Sequence, residues 1–177
     1  MYASYIFTKG SPVPNSELCT EADVTLLVHS FYDKVRDDAM LGPIFEAHVK
    51  NWDRHLATMV DFWSSALRGT ARYRGAPLLK HVALADLRIE LFHRWLGLFR
   101  ETTQSLDNPD LQARADELAH RIAGSLWYGY QSRHAPGRPM ADFARAGSQL
   151  GESTRRAFGA NSTNHARARD LATSTGS

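Results

Sequence analysis

The chain has 177 residues, which is long enough for one domain with a sizeable core. Its composition, 43% hydrophobic and 23% charged, is that of a soluble globular protein, and its single cysteine, Cys19, excludes an intrachain disulfide framework. A reducing cytoplasm is therefore the expected compartment. The first residues lack a signal-peptide pattern, and no apolar run is long enough to span a bilayer, so no membrane partner is expected.

The net charge of +2 is distributed unevenly along the chain. Residues 136–177 hold six arginines and three acidic residues, a net charge of +3, so the preceding residues together carry −1. The body therefore has no basic face of the kind that binds nucleic acid, and only weak contact through the arginines of the tail stays open.

The first predicted element is a helix over residues 20–38. Thr20 is a candidate N-cap, acidic residues occupy the first turn, and apolar residues follow at helical spacing. Tyr32 lies beside this apolar stripe. Because Pro43 disfavours helical geometry at the residue before it, we predict a stop at residues 41–43 and a short connector over residues 44–50.

The second predicted helix covers residues 51–68 and ends at Gly69. Its inner face carries His55 together with aromatic and other apolar residues. These are Trp52, Leu56, Met59, Phe62, Trp63 and Ala66. After a loop, Pro77 is expected to open a short helix that carries His81 and reaches Leu84.

Two further long helices complete the predicted body. Asp86 is the candidate cap of the third, whose inner stripe includes Trp95, while Asn108 and Pro109 predict the start of the fourth. No alternating strand pattern competes, so residues 17–135 are predicted to be an all-α domain. Residues 1–16 are expected to be an N-terminal extension, and residues 136–177 a disordered or loosely helical tail.

Two histidines, His55 and His81, lie on apolar faces of separate elements, with Tyr32 and Trp95 on two further helices. A helical body with inward histidine, tyrosine and tryptophan suits a pocket for a flat apolar cofactor with a metal centre, and haem held by a histidine is one such arrangement. The alternative is a haem-free helical interaction domain, in which the histidines form ordinary hydrogen bonds and the tryptophans are core residues. The spacing alone leaves both interpretations open.

Four segments then point to a family. FYDKVRDDAMLGPIF, WDRHLATMVDFW, YRGAPLLKH and FHRWLGLF, in this order, resemble the truncated haemoglobins of group III over about residues 20–132. The resemblance implies a globin fold shortened to a two-over-two helical sandwich around haem b. It implies His81 as the proximal iron ligand, Tyr32, His55 and Trp95 as distal residues, and Phe45 as an aromatic that packs on the haem.

The chain departs from the family in two respects. It is longer than a typical member at both ends, and it lacks the glycine-rich hinges that mark the first two groups. Further cofactor contacts are expected from Met59, Phe62 and Trp63. Arg72, Tyr73 and Lys80 are near enough in sequence to meet the haem propionates, although a solvated loop explains them equally well.

The distal residues suggest what such a pocket would do. The Tyr32 hydroxyl and the Trp95 indole N–H are neutral donors that would stabilise a bound diatomic ligand and slow its escape. We therefore expect conversion of nitric oxide by oxygen, peroxide reduction or ligand sensing rather than bulk oxygen delivery, with O2, NO and CO as ligands. An unidentified reductase is the expected partner, and a dioxygenase- or peroxidase-like activity stays open.

Overall fold

The computed structural model describes residues 14–77, 81, 84, 87–136 and 143. This part of the chain holds five helices and no β-strand, which confirms the predicted all-α fold. The helices are α1 (Glu21–Asp37), α2 (Gly42–His48), α3 (Trp52–Arg68), α4 (Ile89–Gln104) and α5 (Pro109–His134). Over the same residues, none of the helices combines the length and the apolar character that crossing a membrane requires.

Local capping chemistry sets the ends of three helices. At α1 the Thr20 hydroxyl accepts from the Asp23 amide at 3.1 Å while the Asp23 carboxylate accepts from the Thr20 amide at 2.8 Å, a complete capping box. Asn51 caps α3 and Asn108 caps α5 through their side-chain oxygens. α3 ends at Gly69, whose φ of 78° is left-handed. The predicted starts of α1, α3 and α5 and the predicted stop at Gly69 are confirmed.

The predicted connector over residues 44–50 is wrong, because most of it belongs to helix α2. Pro43 lies in the first turn of α2, where a missing N–H costs no intrahelical bond and the fixed φ of proline suits the helix. At Gly42 a Cβ would lie 2.5 Å from the Arg36 carbonyl oxygen, so glycine allows α2 to pack closely against the end of α1. This contact brings Phe45 beside Tyr32.

The start of α4 also differs from the prediction. The N-cap is Arg88 rather than Asp86, and it makes no side-chain capping bond; Asp86 itself lies outside the described residues. The segment ahead of the helix is held instead from α5, since the Leu87 amide donates to the Tyr130 hydroxyl at 3.1 Å. A long-range hydrogen bond therefore holds the residue just before the N-cap, and no side chain caps the first turn of α4.

The helices pack as two pairs. α1 packs on α3, α4 packs on α5, and α1 also contacts α4, which joins the pairs into the two-over-two sandwich that the resemblance implied. Large apolar side chains of all four long helices are fully buried between them, and burial of each contributes roughly 1.5 to 3 kcal/mol. The largest are Leu27, Phe31, Leu67, Phe99, Leu111 and Leu118.

Contacts along the chain divide it into Met1–Arg138 and Pro139–Ser177. All five helices belong to the first unit, and Phe143 is the one described residue of the second. The predicted N-terminal extension and tail therefore fall almost wholly outside the described residues. Their boundaries at residues 16 and 136 stay predictions.

Candidate functional site

Tyr32 lies at the centre of an aromatic cluster formed by α1, α2 and α3. Its side chain is 5% exposed, and the ring of His55 stands across it with centroids 4.8 Å apart and planes at 89°. The Phe45 and Trp52 centroids lie 5.8 and 6.1 Å from that of Tyr32. Burial raises the pKa of Tyr32 above its ordinary value, so the phenol remains a neutral hydrogen-bond donor at physiological pH.

Trp95 of α4 joins this cluster through shared neighbours. Its half-buried ring meets Phe31 edge-on at 5.1 Å and stacks on Phe99 at 5.3 Å, with planes 9° apart. Phe99 stacks in turn on Trp63 at 4.7 Å. Phe31 also contacts Tyr32, with centroids 5.0 Å apart. The predicted distal residues of α1, α3 and α4 therefore belong to one aromatic network.

Part of the inner face of α3 is not covered by protein. The fully buried residues of this helix all lie between Trp63 and Leu67, whereas Leu56, Met59 and Phe62 on the same apolar stripe are half-buried. An apolar stripe is normally covered on folding. The first three turns of α3 therefore offer an apolar surface that a flat hydrophobic group fits. Trp63 lies behind this surface, in the core against α4.

Tyr73 is held against α3 at the edge of this surface. Its ring meets Phe62 edge-on at 5.1 Å, and its amide donates to the Ser65 hydroxyl at 2.9 Å. A Cβ at Gly75 would collide with the Tyr73 ring, so glycine lets the chain pass over it. Burial raises the pKa of Tyr73. The loop thus places Tyr73 beside the apolar surface of α3.

Arg72 has a structural task in this loop. Its guanidinium contacts Glu21 at 2.6 Å and Asp61 at 3.0 Å, and Ser64 also donates to Glu21, at 2.7 Å. Burial acts to raise the pKa of Glu21, but the hydrogen bonds from Ser64 and Arg72 lower it below its ordinary value. Arg72 therefore ties the loop to α1 and α3. Lys80, the other basic residue considered for the propionates, lies outside the described residues.

His81 forms a hydrogen bond of the kind that metal-binding histidines often make. Its Nδ1 lies 2.8 Å from the carbonyl oxygen of Pro77, one helical turn earlier. Because a carbonyl can only accept, Nδ1 carries the proton, and in the neutral ring Nε2 then carries the lone pair that binds a metal. The His81 carbonyl also accepts a hydrogen bond from the Leu84 amide, at 3.1 Å.

A cavity of about 530 Å³ opens between α2, the segment ahead of α4, and α5. This volume is within the range of small-molecule and cofactor sites, roughly 300 to 1,000 Å³. Its walls adjoin both parts of the candidate site. They include Ile44, which precedes Phe45, and Leu84, which is hydrogen-bonded to His81. The lining includes Ile44, His48, Leu84, Leu87, Leu91 and Tyr130.

Trp52 is a member of the site to which the sequence assigned no role. It was placed on the inner face of α3, three residues before His55, and residues three apart are neighbours on a helix. The structure puts its ring 5.7 Å from that of His55 as well as beside Tyr32. The helical spacing was the available signal, and only the contact with α1 shows its relevance.

Comparisons with known proteins identify the family of this chain. The bacterial-like globin family matches residues 16–125. The chain is 34% identical over 122 residues to the group 3 truncated haemoglobin ctb of Campylobacter jejuni, an alignment that covers 64% of this chain and 96% of the relative. The chain belongs to the truncated haemoglobins of group III. This truncated haemoglobin is therefore a haem-binding protein of a family that binds diatomic gases.

The fold agrees with the family of this truncated haemoglobin. The crystal structure of the group III truncated haemoglobin from Campylobacter jejuni matches with a TM-score of 0.61 at 30% identity. The match covers 71% of this chain and 99% of that one. The resemblance of the four segments and the predicted globin sandwich are confirmed.

Proposed function

We propose that this truncated haemoglobin holds haem b through Nε2 of His81 and controls a diatomic ligand with Tyr32, His55 and Trp95. When bound, haem would supply an iron that can take a diatomic ligand. The observation that carries the proposal is the 2.8 Å hydrogen bond from His81 Nδ1 to the Pro77 carbonyl. A metal-binding histidine normally donates its other nitrogen in this way, which sets the tautomer and raises the basicity of the ligand.

Apolar contacts to the cofactor come from α2 and α3. Phe45, Met59 and Phe62 are half-buried and form an apolar surface to which a porphyrin can add cover. Tyr73 contributes from the loop after α3, where its hydroxyl can meet a propionate. Trp63 is already in the core, and we assign it a supporting position behind the stacked rings that carry Trp95.

Tyr32 and Trp95 are the hydrogen-bond donors to the ligand. Both donate without bringing an unpaired charge into an apolar pocket, which would be costly. Two donors would slow the release of a ligand that draws electron density, which favours nitric oxide conversion by oxygen, peroxide reduction or sensing over oxygen delivery. A reductase would return the haem to the ferrous state, and His55 can move a proton at the pocket edge. The cytoplasmic location stays a prediction.

The experiment begins with the absorption spectrum of the purified chain during titration with haemin. We expect a Soret band that saturates at one haemin per chain. Protein that stays colourless would reject the proposal and favour the haem-free interaction domain.

The ligand is then assigned with matched substitutions in helical positions. We expect His81→Gly to lose the iron–histidine stretch in resonance Raman spectra. Added imidazole should restore an absorption spectrum like that of the parent. His29→Gly, a substitution at an exposed histidine of α1, should leave the stretch unchanged. An unchanged stretch in His81→Gly would place the ligand elsewhere.

A further inference from the structure

Three helices meet at the outer edge of the Tyr32–His55 pair. Trp52, the first residue of α3, donates its indole Nε1–H to Glu46 Oε1 of α2 at 3.0 Å. Arg36, in the last turn of α1, places its guanidinium carbon 4.9 Å from the centroid of the Trp52 ring, and its Nε lies 3.6 Å from Glu46 Oε1. The three side chains thus hold one another across α1, α2 and α3.

Trp52 connects this exposed group to the candidate ligand pocket. On its inner side the ring lies 5.7 Å from His55, with planes at 88°, and 6.1 Å from Tyr32. On its outer side Arg36 and Glu46 are half in solvent, with 49% and 56% of their side chains exposed. Phe45 also borders His55, at 6.4 Å. Among these neighbours, Trp52 is the one bonded to solvent-exposed charges.

From this juxtaposition we propose that Arg36, Glu46 and Trp52 form a clamp that positions the Trp52 ring against His55 and slows the passage of diatomic ligands to Tyr32. The inference rests on the proposed haem function. These are positioning residues, since they would act through His55 rather than touch the ligand. Exposed ion pairs and cation–π contacts are individually weak and are screened by salt, so the clamp can open thermally and should respond to ionic strength.

The two variants weaken the clamp in different ways. Glu46→Gln removes the charge that Arg36 faces and leaves the indole a neutral, weaker acceptor oxygen, whereas Trp52→Phe keeps a ring but removes the donor. Glu90→Gln, at an exposed position of α4, is the matched charge control. Trp127→Phe on α5 is the matched ring control. Glu46 is exposed, so its substitution should not disturb folding, and melting temperatures check this.

Stopped-flow CO association with the ferrous holoprotein measures access. In low salt we expect both clamp variants to bind CO about three- to tenfold faster than the parent and the two controls, a change that corresponds to the loss of one weak contact. Oxygen release should change less than about twofold, because Tyr32 and Trp95 are intact. Raising ionic strength to about 1 M, where screening is nearly complete, should accelerate the parent and leave Glu46→Gln unaffected.

A second readout does not depend on ligand binding. The Trp52 indole N–H resonance, identified by its loss in Trp52→Phe, should exchange with solvent faster in Glu46→Gln than in Glu90→Gln, with or without haem. Parent-like CO association in both clamp variants, or an equal salt effect in Glu46→Gln and the parent, would overturn the clamp. Unchanged indole exchange would also overturn it. Absence of a Soret band in the parent would instead reject the haem proposal, and the exchange measurement still decides whether the clamp exists.

Discussion

The ring of His55 stands at right angles to the ring of Tyr32, with centroids 4.8 Å apart. Edge-to-face contacts of this kind are favourable beyond the area that they bury, by roughly 0.5 to 1.5 kcal/mol for aromatic pairs. The two residues belong to α3 and α1, so the packing of these helices sets the separation of the two proposed distal groups. Any movement of the His55 ring must therefore change its contact with Tyr32.

The first prediction concerns the two neutral donors. Tyr32→Phe and Trp95→Phe should each speed oxygen release by roughly five- to thirtyfold, which corresponds to about 1 to 2 kcal/mol for one hydrogen bond. CO is a weaker acceptor, so its release should change much less. Stopped-flow ligand release from the holoprotein makes the measurement. Both rings contact Phe31, so the double variant should deviate from additivity.

Trp127→Phe on α5 is the control for loss of an indole donor elsewhere in the molecule. Its oxygen release should match that of the parent. If both distal variants also release oxygen at the parent rate, the assignment of Tyr32 and Trp95 is wrong, and His55 becomes the first donor to test.

The second prediction concerns alkaline stability. Burial raises the pKa of Tyr32, so the unfolded chain loses this proton near the ordinary value of about 10 while the folded chain keeps it. The stabilisation is complete below that pH and declines above it by up to about 1.4 kcal/mol per pH unit for each such group. Urea unfolding between about pH 9 and 11 should show a steeper decline for the parent than for Tyr32→Phe.

Two further tyrosines calibrate this measurement. Tyr73→Phe should also reduce the alkaline decline, because burial raises the pKa of Tyr73. Tyr128 is 60% exposed, and Tyr128→Phe should follow the parent. Parallel curves for the parent and Tyr32→Phe would show that Tyr32 ionises with equal ease in the folded and unfolded chains.

The third prediction concerns Asp38, which joins α1, α2 and α4. Its side chain is 6% exposed and accepts from Arg94 Nε at 2.6 Å and from the amides of Met40 and Leu41, both at 3.0 Å. Asp38→Asn should lower the free energy of unfolding at pH 7 by about 1.5 to 3 kcal/mol, as expected for hydrogen bonds to a charged group. Asp37→Asn, one residue earlier and exposed, should stay within about 0.5 kcal/mol of the parent.

The pH dependence of the stability difference between the parent and Asp38→Asn can contradict this prediction. Burial raises the pKa of Asp38, but the hydrogen bonds from Arg94 and the two amides more than offset it, so the folded value is lowered. Its stabilisation is therefore present above the unfolded pKa of about 3.9 and is lost as pH falls through the folded value. The difference between parent and variant should narrow below about pH 4. A constant difference would mean that the carboxylate charge does not contribute.

The fourth prediction concerns the C-terminal tail. A chain that ends at Ala135 should keep its haem affinity and melting temperature, because the composition of residues 136–177 cannot bury enough apolar area to fold alone. A second truncated chain that ends at Arg138, the last residue of the first compact unit, should behave in the same way. Haemin titration and thermal unfolding make the comparison. A large loss in either property would show that the tail contributes to the globin domain.

The sequence by itself determined the helical architecture and the types of residue in the site. Capping at Thr20 and Asn108 was predicted, and the same local signal was present at Asn51, because a cap involves residues only three positions apart. Helical spacing likewise identified the faces that carry Tyr32 and His55. The meaning of Gly-Pro at residues 42–43 was not predictable in this way, because the same pair can end one helix or begin the next, depending on how closely the backbones approach.

Tertiary structure alone decided which side chains meet. The sequence made Arg72 a candidate to bind the haem propionates. The structure pairs it instead with Glu21, 51 residues away in sequence. The Trp52 ring meets Arg36 of another helix, and the Tyr130 hydroxyl of α5 holds the segment ahead of α4. A repeating pattern specifies which face of a helix is apolar, but not the register or angle at which two such faces pack. Those follow from the shapes of all the interdigitating side chains together.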